Sequence, residues 1–314
     1  MDSSTTLYLS IDAGGTFLKS AVLDAGWEII PGSEFSQSSY SGDSRDKILG
    51  AFEEVITRGI RFIETVRKEP GGIGIAIPGP FHTEKAMPLM KHKFQTIYGL
   101  DLRKCFRSFP VVPGEVPIQF IHDANAVLIG ELWKGNAVGF DNAAVVTLGT
   151  GLGFAVSEKR MVLCNEIGGP YMSVYNRPYQ GGMLEDYTAK RGILGIYQQL
   201  KKEKPSGNLT VKDIGSMADK GDRISQDIFY RVGEILADAL KEIIVERSIR
   251  CLLFGGQISR SFLHIKPALE KGFANTGHLE RIAAVSDIDG AALSGAIIGM
   301  VSAQETLKTG RLPA

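Results

Sequence analysis

The chain has 314 residues, of which 44% are hydrophobic and 22% are charged, a composition typical of a globular protein large enough for two domains. Its 35 Lys and Arg balance its 35 Asp and Glu, which argues against an overall attraction to nucleic acid or to an anionic membrane. The three cysteines lie far apart, and no apolar run approaches the roughly 20 residues of a membrane span. We therefore expect reduced thiols, no disulfide framework and a cytoplasmic location.

A Gly-Gly turn between two strands opens the chain. Apolar residues alternate over about Leu7–Leu23 and are interrupted by Asp12-Ala13-Gly14-Gly15-Thr16. Such a hairpin suits a polyphosphate, because its backbone N–H groups can meet phosphate oxygens. Asp12 can hold Mg²⁺ or its waters, and Lys19 supplies positive charge. Taken alone, however, a Gly-Gly hairpin is more often only a turn.

A strong helical pattern follows the polar stretch Ser33–Gly42. Apolar residues recur at three- and four-residue spacings between Ile48 and Val66, and Asp43 or Ser44 can cap the start.

A buried strand is predicted at Ile73–Ile77, and it ends in the rigid loop Pro78-Gly79-Pro80. The segment Phe81–Pro117 lacks clear periodicity. That pattern leaves open a binding loop or lid, or a short extra hairpin.

The next strand, Ile118–Ile121, delivers His122 and Asp123 to its carboxyl end, and a helix is predicted at Ala124–Lys134. A strand at Ala143–Leu148, a glycine turn and a strand at Phe154–Val156 then repeat the opening pattern. This repetition suggests two related halves.

Helices and strands alternate through the rest of the chain. The predicted helices lie near 184–200, 211–218, 224–245 and 291–301, and the predicted strands lie at 250–254 and 282–285. The alternation predicts α/β layers with mixed sheets in each half.

Four glycine-rich or acidic turns follow strands, at Asp12–Thr16, Asp123, Gly149–Gly153 and Gly255-Gly256. Ligands of α/β proteins gather at strand ends. The two hairpins could hold one triphosphate, and Gly255-Gly256 would let a flat adenine lie close to the backbone.

The ordered set of motifs resembles the ROK family of sugar kinases and repressors, which belongs to the sugar kinase/actin/Hsp70 superfamily. The motifs are Asp-Ala-Gly-Gly-Thr-x-x-Lys, Ile-Ala-Ile-Pro-Gly-Pro, Asp-Ala-Asn-Ala, Gly-Thr-Gly-x-Gly, Asn-Glu-Ile-Gly and Phe-Gly-Gly, and they run from about Leu7 to Met300. The resemblance implies two related actin-like (ribonuclease H-like) α/β domains with a cleft between them. The expected domains are 1–121 plus about 290–314, and 122–289.

The resemblance also implies ATP and Mg²⁺ as cofactors. The residues that match its nucleotide motifs are Asp12, Gly14, Gly15, Thr16, Lys19, Gly149, Thr150, Gly151, Gly153, Gly255 and Gly256. Asp12 would hold Mg²⁺ through ATP, directly or through water. Asp123 matches the catalytic base that accepts the proton of a sugar hydroxyl, although the same position suits an ordinary helix N-cap.

The expected sugar contacts are Gly79, His122, Glu166 and Glu185, and this part of the chain departs from the family. The family usually has Asn before the catalytic Asp, whereas this chain has His122. That residue can donate a hydrogen bond or be a structural histidine. Glu166 and Glu185 match family glutamates that bind hydroxyls, although an ordinary Glu is a solvated surface group.

The family's zinc-binding motif is missing from the same region. Where the family usually has His, this chain has Gly169, and the segment Pro170–Gly182 has no cysteine. Where the family usually has Gly-Cys, this chain has Gly182-Met183. We expect no zinc and a loop held by aromatic packing. Lys91, His92 and Lys93, in the segment Met87–Phe94, could meet a polar or aglycone-bearing substrate or could form a solvated face.

These features predict an ATP-dependent kinase that phosphorylates a primary hydroxyl, O6 of a hexose or glucoside, with domain closure over ATP-Mg. Homodimerisation is a family expectation. A repressor would need a helix-turn-helix before the first strand and a basic excess, neither of which we expect here. A catalytically weak sugar-binding or regulatory protein is the other alternative. The sugar, its anomer and any aglycone stay open.

Overall fold

A computed structural model describes the backbone of residues 6–201 and 209–309, with side chains up to residue 304. The described chain forms two compact units. The first contains 6–133, Cys164–Pro170 and 290–309, and the second contains 134–163 and 171–289 without the gap. The helix after Asp123 and the short segment around Glu166 therefore pack with the first unit, whereas the sequence had suggested a limit at residue 122.

The sheet of the first unit has five strands: β1 (Leu7–Ala13), β2 (Phe17–Leu23), β3 (Phe35–Ser38), β4 (Pro70–Ile77) and β7 (Ile118–His122). Between β4 and β7, β5 (Phe81–His82) and β6 (Met87–Pro88) form a short hairpin. The spatial order is β3-β2-β1-β4-β7. The first three strands are antiparallel, and β1, β4 and β7 are parallel.

The sheet of the second unit repeats this arrangement. Its strands are β8 (Ala143–Leu148), β9 (Leu152–Glu158), β10 (Met161–Val162), β13 (Cys251–Gly255) and β14 (Arg281–Ala284), and β11 (Pro178–Tyr179) pairs separately with β12 (Gly182–Met183). The order β10-β9-β8-β13-β14 has the same antiparallel and parallel pairings. The prediction of two related halves with mixed sheets is confirmed.

The described helices are α1 (Arg45–Thr65), α2 (Leu102–Arg107), α3 (Asp123–Lys134), α4 (Glu185–Thr188), α5 (Lys190–Lys201), α6 (Val211–Asp219), α7 (Arg223–Glu246), α8 (Phe262–Phe273) and α9 (Ala291–Thr309). Short 3-10 turns lie at Gln95–Ile97 and Gln257–Ser261. Within the described ranges, none of these helices combines the length and the apolar character that crossing a bilayer requires.

The long helix α1 shows how local sequence sets an element. Ser44 is its N-cap and accepts the Lys47 N–H, whereas Asp43 instead forms an ion pair with the Lys47 ammonium at 3.0 Å. Its apolar stripe, which includes Phe52 and Ile56, is fully buried against the sheet of the first unit. Burial of this stripe stabilises the helix far more than its cap does.

The segment Phe81–Pro117 contains the short hairpin that the sequence left open, together with α2, which was not predicted. Asp101 caps α2 by accepting the Lys104 N–H at 3.1 Å. Phe94 and Phe106 are completely buried and pack on Phe52. Much of this segment is therefore core rather than a free loop, because its aromatic residues enter the first unit.

The helix α3 is held by a close approach to α9. A Cβ atom on Gly295 would lie 1.7 Å from the Ala126 carbonyl oxygen, and one on Gly130 would lie 2.5 Å from that of Ala291. Only glycine permits these two backbones to come so near. The packing fixes the position of α3, whose first residue is Asp123.

Candidate active site

The first glycine hairpin joins β1 to β2 and is tightly closed. The Gly14 N–H donates to the Phe17 carbonyl oxygen at 2.9 Å, and a Cβ atom on Gly14 would lie 3.0 Å from that oxygen. Gly15 and Thr16 are exposed at the tip. Asp12 lies opposite Lys19 in the β1–β2 register, so a carboxylate and an ammonium flank the base of the hairpin. This is a donor set that suits phosphate with a hydrated Mg²⁺.

The second hairpin joins β8 to β9 at the corresponding place in the other unit. The Gly149 N–H donates to Gly151 O at 3.0 Å, and Thr150 is exposed at the tip. A Cβ atom on Gly149 would meet no atom of a described residue within 4 Å. The protein itself therefore does not demand glycine there, and the backbone is open to an approaching ligand.

Two contacts from the α4–α5 region support this second hairpin. Oε2 of Glu185 accepts the Leu152 N–H at 2.7 Å, and the Lys190 N–H donates to Gly149 O at 3.0 Å. The continuous helix predicted for 184–200 is broken at Ala189, which has an extended backbone. The break turns the Lys190 N–H toward the hairpin, so a tertiary hydrogen bond interrupts the helix.

Gly255 and Gly256 lie directly beside the second hairpin. Gly255 pairs with Thr147 in the β13–β8 register, and Thr147 pairs in turn with Gly153. Gly256 has a φ of +79°, and a Cβ atom there would lie 2.4 Å from Leu148 O. Glycine is therefore required at position 256 both by conformation and by space. The structure brings the Gly149–Gly153 and Gly255-Gly256 motifs together at one edge of the second unit's sheet.

Asp123 is the first residue of α3 and follows β7 directly. Its Oδ1 atom accepts the Ala124 N–H at 2.7 Å and lies 2.9 Å from Nδ1 of His122. The side chain of Asp123 is 40% exposed, whereas that of His122 is 13% exposed. This bond comes from the N–H of the very next residue and is not an ordinary N-cap bond, in which the side chain accepts from the second or third N–H of the helix. The carboxylate still reaches solvent.

The surroundings of Asp123 keep its carboxylate ionised. Partial desolvation raises the pKa, but the charge of His122 and the hydrogen bond from its ring oppose this effect. The Lys93 ammonium and the Ala124 N–H add to the lowering. The result is a pKa of about 2, below the ordinary value of 3.8.

Gly79 and His122 are also brought together. A Cβ atom on Gly79 would lie 2.7 Å from Nε2 of His122 and 3.0 Å from its Cδ2. The loop after β4 therefore makes room for the imidazole ring at the end of β7. Any side chain at position 79 would force the imidazole ring to shift from this position.

Glu166 lies on a short loop, Cys164–Pro170, that Asn165 organises. The Asn165 Oδ1 atom accepts the N–H groups of Ile167 at 3.1 Å and Gly169 at 2.9 Å. Glu166 itself is exposed, and within the described part of the chain its side chain forms no hydrogen bond or ion pair. The loop therefore presents an unengaged carboxylate on an ordered turn.

Two further residues hold this loop against the rest of the first unit. The Thr83 N–H donates to Ile167 O at 2.9 Å, and Nδ2 of Asn125 lies 3.4 Å from Gly168 O. Asn125 lies on α3, two residues after Asp123. Sequence reasoning did not single out Thr83, Asn125 or Asn165 individually. The quoted motifs Asp-Ala-Asn-Ala and Asn-Glu-Ile-Gly contain the two asparagines, which is the signal that could have found them.

The side chain of Asn165 explains why glycine occupies position 169. A Cβ atom there would lie 2.9 Å from Nδ2 of Asn165, so a larger side chain would disturb the loop that carries Glu166. Over residues 6–201 and 209–304, no group of three or more His, Cys, Asp or Glu side chains is arranged to hold a metal ion. The absence of zinc stays a prediction.

The segment after this loop is held by aromatic and arginine contacts. The rings of Tyr179 and Tyr187 meet edge to face at 5.2 Å, and the Tyr187 hydroxyl donates to Gln180 O. The Arg177 guanidinium donates to Ala239 O on α7 at 2.6 Å, and that of Arg247 lies 4.9 Å from the Tyr171 ring centroid. These contacts connect the segment to α4 and α7 and to the residue that follows α7.

Comparison with known proteins agrees with the fold and the motif order. The ROK family profile matches residues 8–300. A curated relative named glucokinase, from Halalkalibacterium halodurans, is 24% identical over 279 residues, which cover 81% of this chain and 81% of the relative. The chain belongs to the ROK family.

Two crystal structures illustrate the shared fold. One is described as a ROK family transcriptional regulator, homolog of E. coli MLC protein. It has a TM-score of 0.81 and 18% identity, with 96% of this chain and 79% of that chain covered. The other is a ROK family glucokinase from Streptomyces griseus in complex with glucose and AMPPNP. It has a TM-score of 0.77 and 19% identity, with 92% and 97% covered. These likenesses show the actin-like α/β fold of the ROK sugar kinases.

Proposed function

We propose that the protein is an ATP-dependent sugar kinase that transfers the γ-phosphoryl group of ATP to a primary hydroxyl, O6 of a hexose or glucoside. The observation that carries this proposal is the ionised, solvent-reaching Asp123 carboxylate at the end of β7, in the same unit as the first glycine hairpin. The name of the Halalkalibacterium relative, glucokinase, supports a hexose as the acceptor.

The reaction requires one base and strong charge stabilisation. The sugar hydroxyl oxygen forms a bond to the γ-phosphorus while the bond from that phosphorus to the β–γ bridging oxygen breaks, and ADP leaves. Asp123 accepts the hydroxyl proton. Because the pKa of its carboxyl group is about 2, Asp123 is a weak base and takes the proton late, when the attacking oxygen has become acidic.

The nucleotide is proposed to use both glycine hairpins. Phosphate oxygens would accept from backbone N–H groups at Gly14–Thr16 and at Gly149–Gly153, and Lys19 would add positive charge. Gly255 and Gly256 would lie against the adenosine. Asp12 would hold Mg²⁺ through water, and that ion supplies charge neutralisation on the phosphates.

The acceptor is proposed to contact Gly79, His122, Glu166 and Glu185. Carboxylates accept hydrogen bonds from paired hydroxyl groups well, and the exposed Glu166 has no competing partner within the described ranges. Glu185 uses Oε2 for Leu152, which leaves Oε1 for a hydroxyl. His122 replaces the family's usual Asn and can donate from its ring.

A coupled assay of ADP release tests this proposal. Purified protein with Mg²⁺ and ATP should release ADP only when a hexose or glucoside is added, and mass spectrometry should detect the sugar phosphate. A panel of hexoses, 6-deoxyhexoses and β-glucosides defines the acceptor, and the 6-deoxyhexoses serve as matched controls that lack O6. Absence of stimulation by every sugar would favour a regulatory sugar-binding protein instead. Light scattering would test the homodimer that the family resemblance implies.

A further inference from the structure

The three basic residues at positions 91 to 93 have different environments. Lys91 and His92 are exposed, whereas Lys93 is half-buried. The Cδ atom of Lys93 lies 3.4 Å from the position that a Cβ atom on Gly15 would occupy. The aliphatic part of Lys93 therefore packs on the tip of the first glycine hairpin, where the backbone is proposed to meet phosphate.

The backbone beside Lys93 is fixed against the same hairpin. The Phe94 N–H donates to Ser41 O at 2.6 Å, and the Ser41 hydroxyl donates to Gly15 O. Phe94 is completely buried against Phe52 and has a left-handed backbone with φ of +53°. Because its neighbour is anchored in this way, Lys93 has a defined starting position rather than that of a mobile surface side chain.

The charge of Lys93 also faces the proposed base. The Lys93 ammonium is one of the groups that lower the pKa of Asp123. Among the residues that the structure describes, Lys93 nevertheless forms no salt bridge. Lys93 thus packs its stem on the first glycine hairpin and lowers the pKa of Asp123 with its charge, and no carboxylate of a described residue forms an ion pair with it.

We propose that Lys93 is a catalytic residue that donates hydrogen bonds to the γ-phosphoryl group during transfer. This inference rests on the proposed kinase function. An ionised Asp123 and a polyanionic phosphate repel each other, and an ammonium beside both reduces that repulsion. Negative charge is spread over the γ-phosphoryl oxygens in the transition state, and a compact lysine ammonium with three donors suits that group.

The experiment compares Lys93→Met with Lys91→Met. Methionine keeps an unbranched apolar stem against Gly15 and removes the charge, and exposed Lys91 provides the same substitution in the same segment. Calorimetric titration without sugar should show MgATP affinity falling about 10-fold more than MgADP affinity in Lys93→Met, because only ATP has the γ-phosphate. Lys91→Met should bind both nucleotides like the wild type.

Kinetics give the second measurement. With the best sugar, kcat of Lys93→Met should fall about 100-fold while the sugar KM changes less than about threefold, and Lys93→Arg should recover part of kcat.

Two results would overturn the proposal. One is an equal loss of ATP and ADP affinity. The other is a raised sugar KM with kcat retained, which would make Lys93 a sugar contact. If the wild type phosphorylates no sugar, the kinase function fails; if it is active and Lys93→Met is too, only the role of Lys93 fails. If Lys93→Met does not fold, the neutral Lys93→Gln variant takes its place with the same expected losses, and wild-type kcat in that variant overturns the proposal.

Discussion

The Nδ1 atom of His122 lies 2.9 Å from the Oδ1 atom of Asp123, at the junction of β7 and α3. Gly79 provides the space for the imidazole ring, and the Ala124 N–H donates to the same carboxylate oxygen. The residue that departs from the family's usual Asn is therefore the immediate neighbour of the proposed base. It lowers the pKa of Asp123 and lies where the sugar is proposed to bind.

Replacement of His122 should raise the pKa of Asp123. The charge and the hydrogen bond of His122 are the largest contributions that lower this pKa, so His122→Asn should raise it from about 2. The acid limb of kcat/KM should move upward by about one pH unit relative to the wild type. His264→Asn is a matched control, because His264 lies 2.8 Å from Asp219 on the other unit. Coincident acid limbs for wild type and His122→Asn would contradict this account.

The same pKa shift has a consequence for stability. A carboxyl group with a lowered pKa in the folded state stabilises that state above its unfolded pKa, near 3.8. This contribution is lost as the pH falls toward about 2. It should therefore be smaller in His122→Asn, because the folded-state pKa of Asp123 is then higher.

The two glutamates should have different kinetic signatures. Glu166 is exposed without a partner among the described residues, so Glu166→Ala should raise only the sugar KM, by about 10-fold or more. Glu185 also accepts the Leu152 N–H of the second hairpin, so Glu185→Ala should raise the KM values for both sugar and ATP. Steady-state kinetics with each substrate varied in turn distinguishes these results. An unchanged ATP KM in Glu185→Ala would show that the Leu152 contact does not support nucleotide binding.

Gly256 offers a test of the adenosine side of the site. An alanine there would combine the strain of φ +79° with a Cβ contact of 2.4 Å to Leu148 O. Gly277 has a φ of +72°, and a Cβ atom there would meet no described atom within 4 Å, so it is the matched control for the strain alone. We expect Gly277→Ala to lower the free energy of unfolding by about 1 kcal/mol. Gly256→Ala should lower it further and raise the ATP KM; equal behaviour of the two variants would contradict a role for the close approach.

The sequence predicted the elements whose patterns are strong and local. The apolar stripe of α1, the strand before Asp123 and the two glycine hairpins all lie where expected, because periodicity and glycine turns record local constraints. By contrast, β3 (Phe35–Ser38) was part of a polar stretch in the sequence. It is a strand because it pairs with the edge of β2, which is a tertiary interaction.

The site was predicted less completely than the fold. Motif order pointed to Asp123 and the glycines, and the structure groups the second hairpin with Gly255 and Gly256. The sequence did not indicate that Glu185 accepts a hydrogen bond from Leu152, or that Lys93 packs on Gly15, because the two residues of each pair are far apart along the chain. The first contact depends on the end of the helix at Ala189, and the second depends on the burial of Phe94. Both are tertiary features that no local sequence pattern encodes.

Replacement of the proposed base is the most direct test of the central claim. Asp123→Asn keeps the size of the side chain and an oxygen that can accept the Ala124 N–H, but it removes the proton acceptor. With saturating MgATP and the best acceptor sugar, kcat should fall about 10²- to 10⁴-fold while the nucleotide affinity and the thermal melting curve stay close to the wild type. A variant that forms sugar phosphate at a rate within threefold of the wild type would show that Asp123 is not the base.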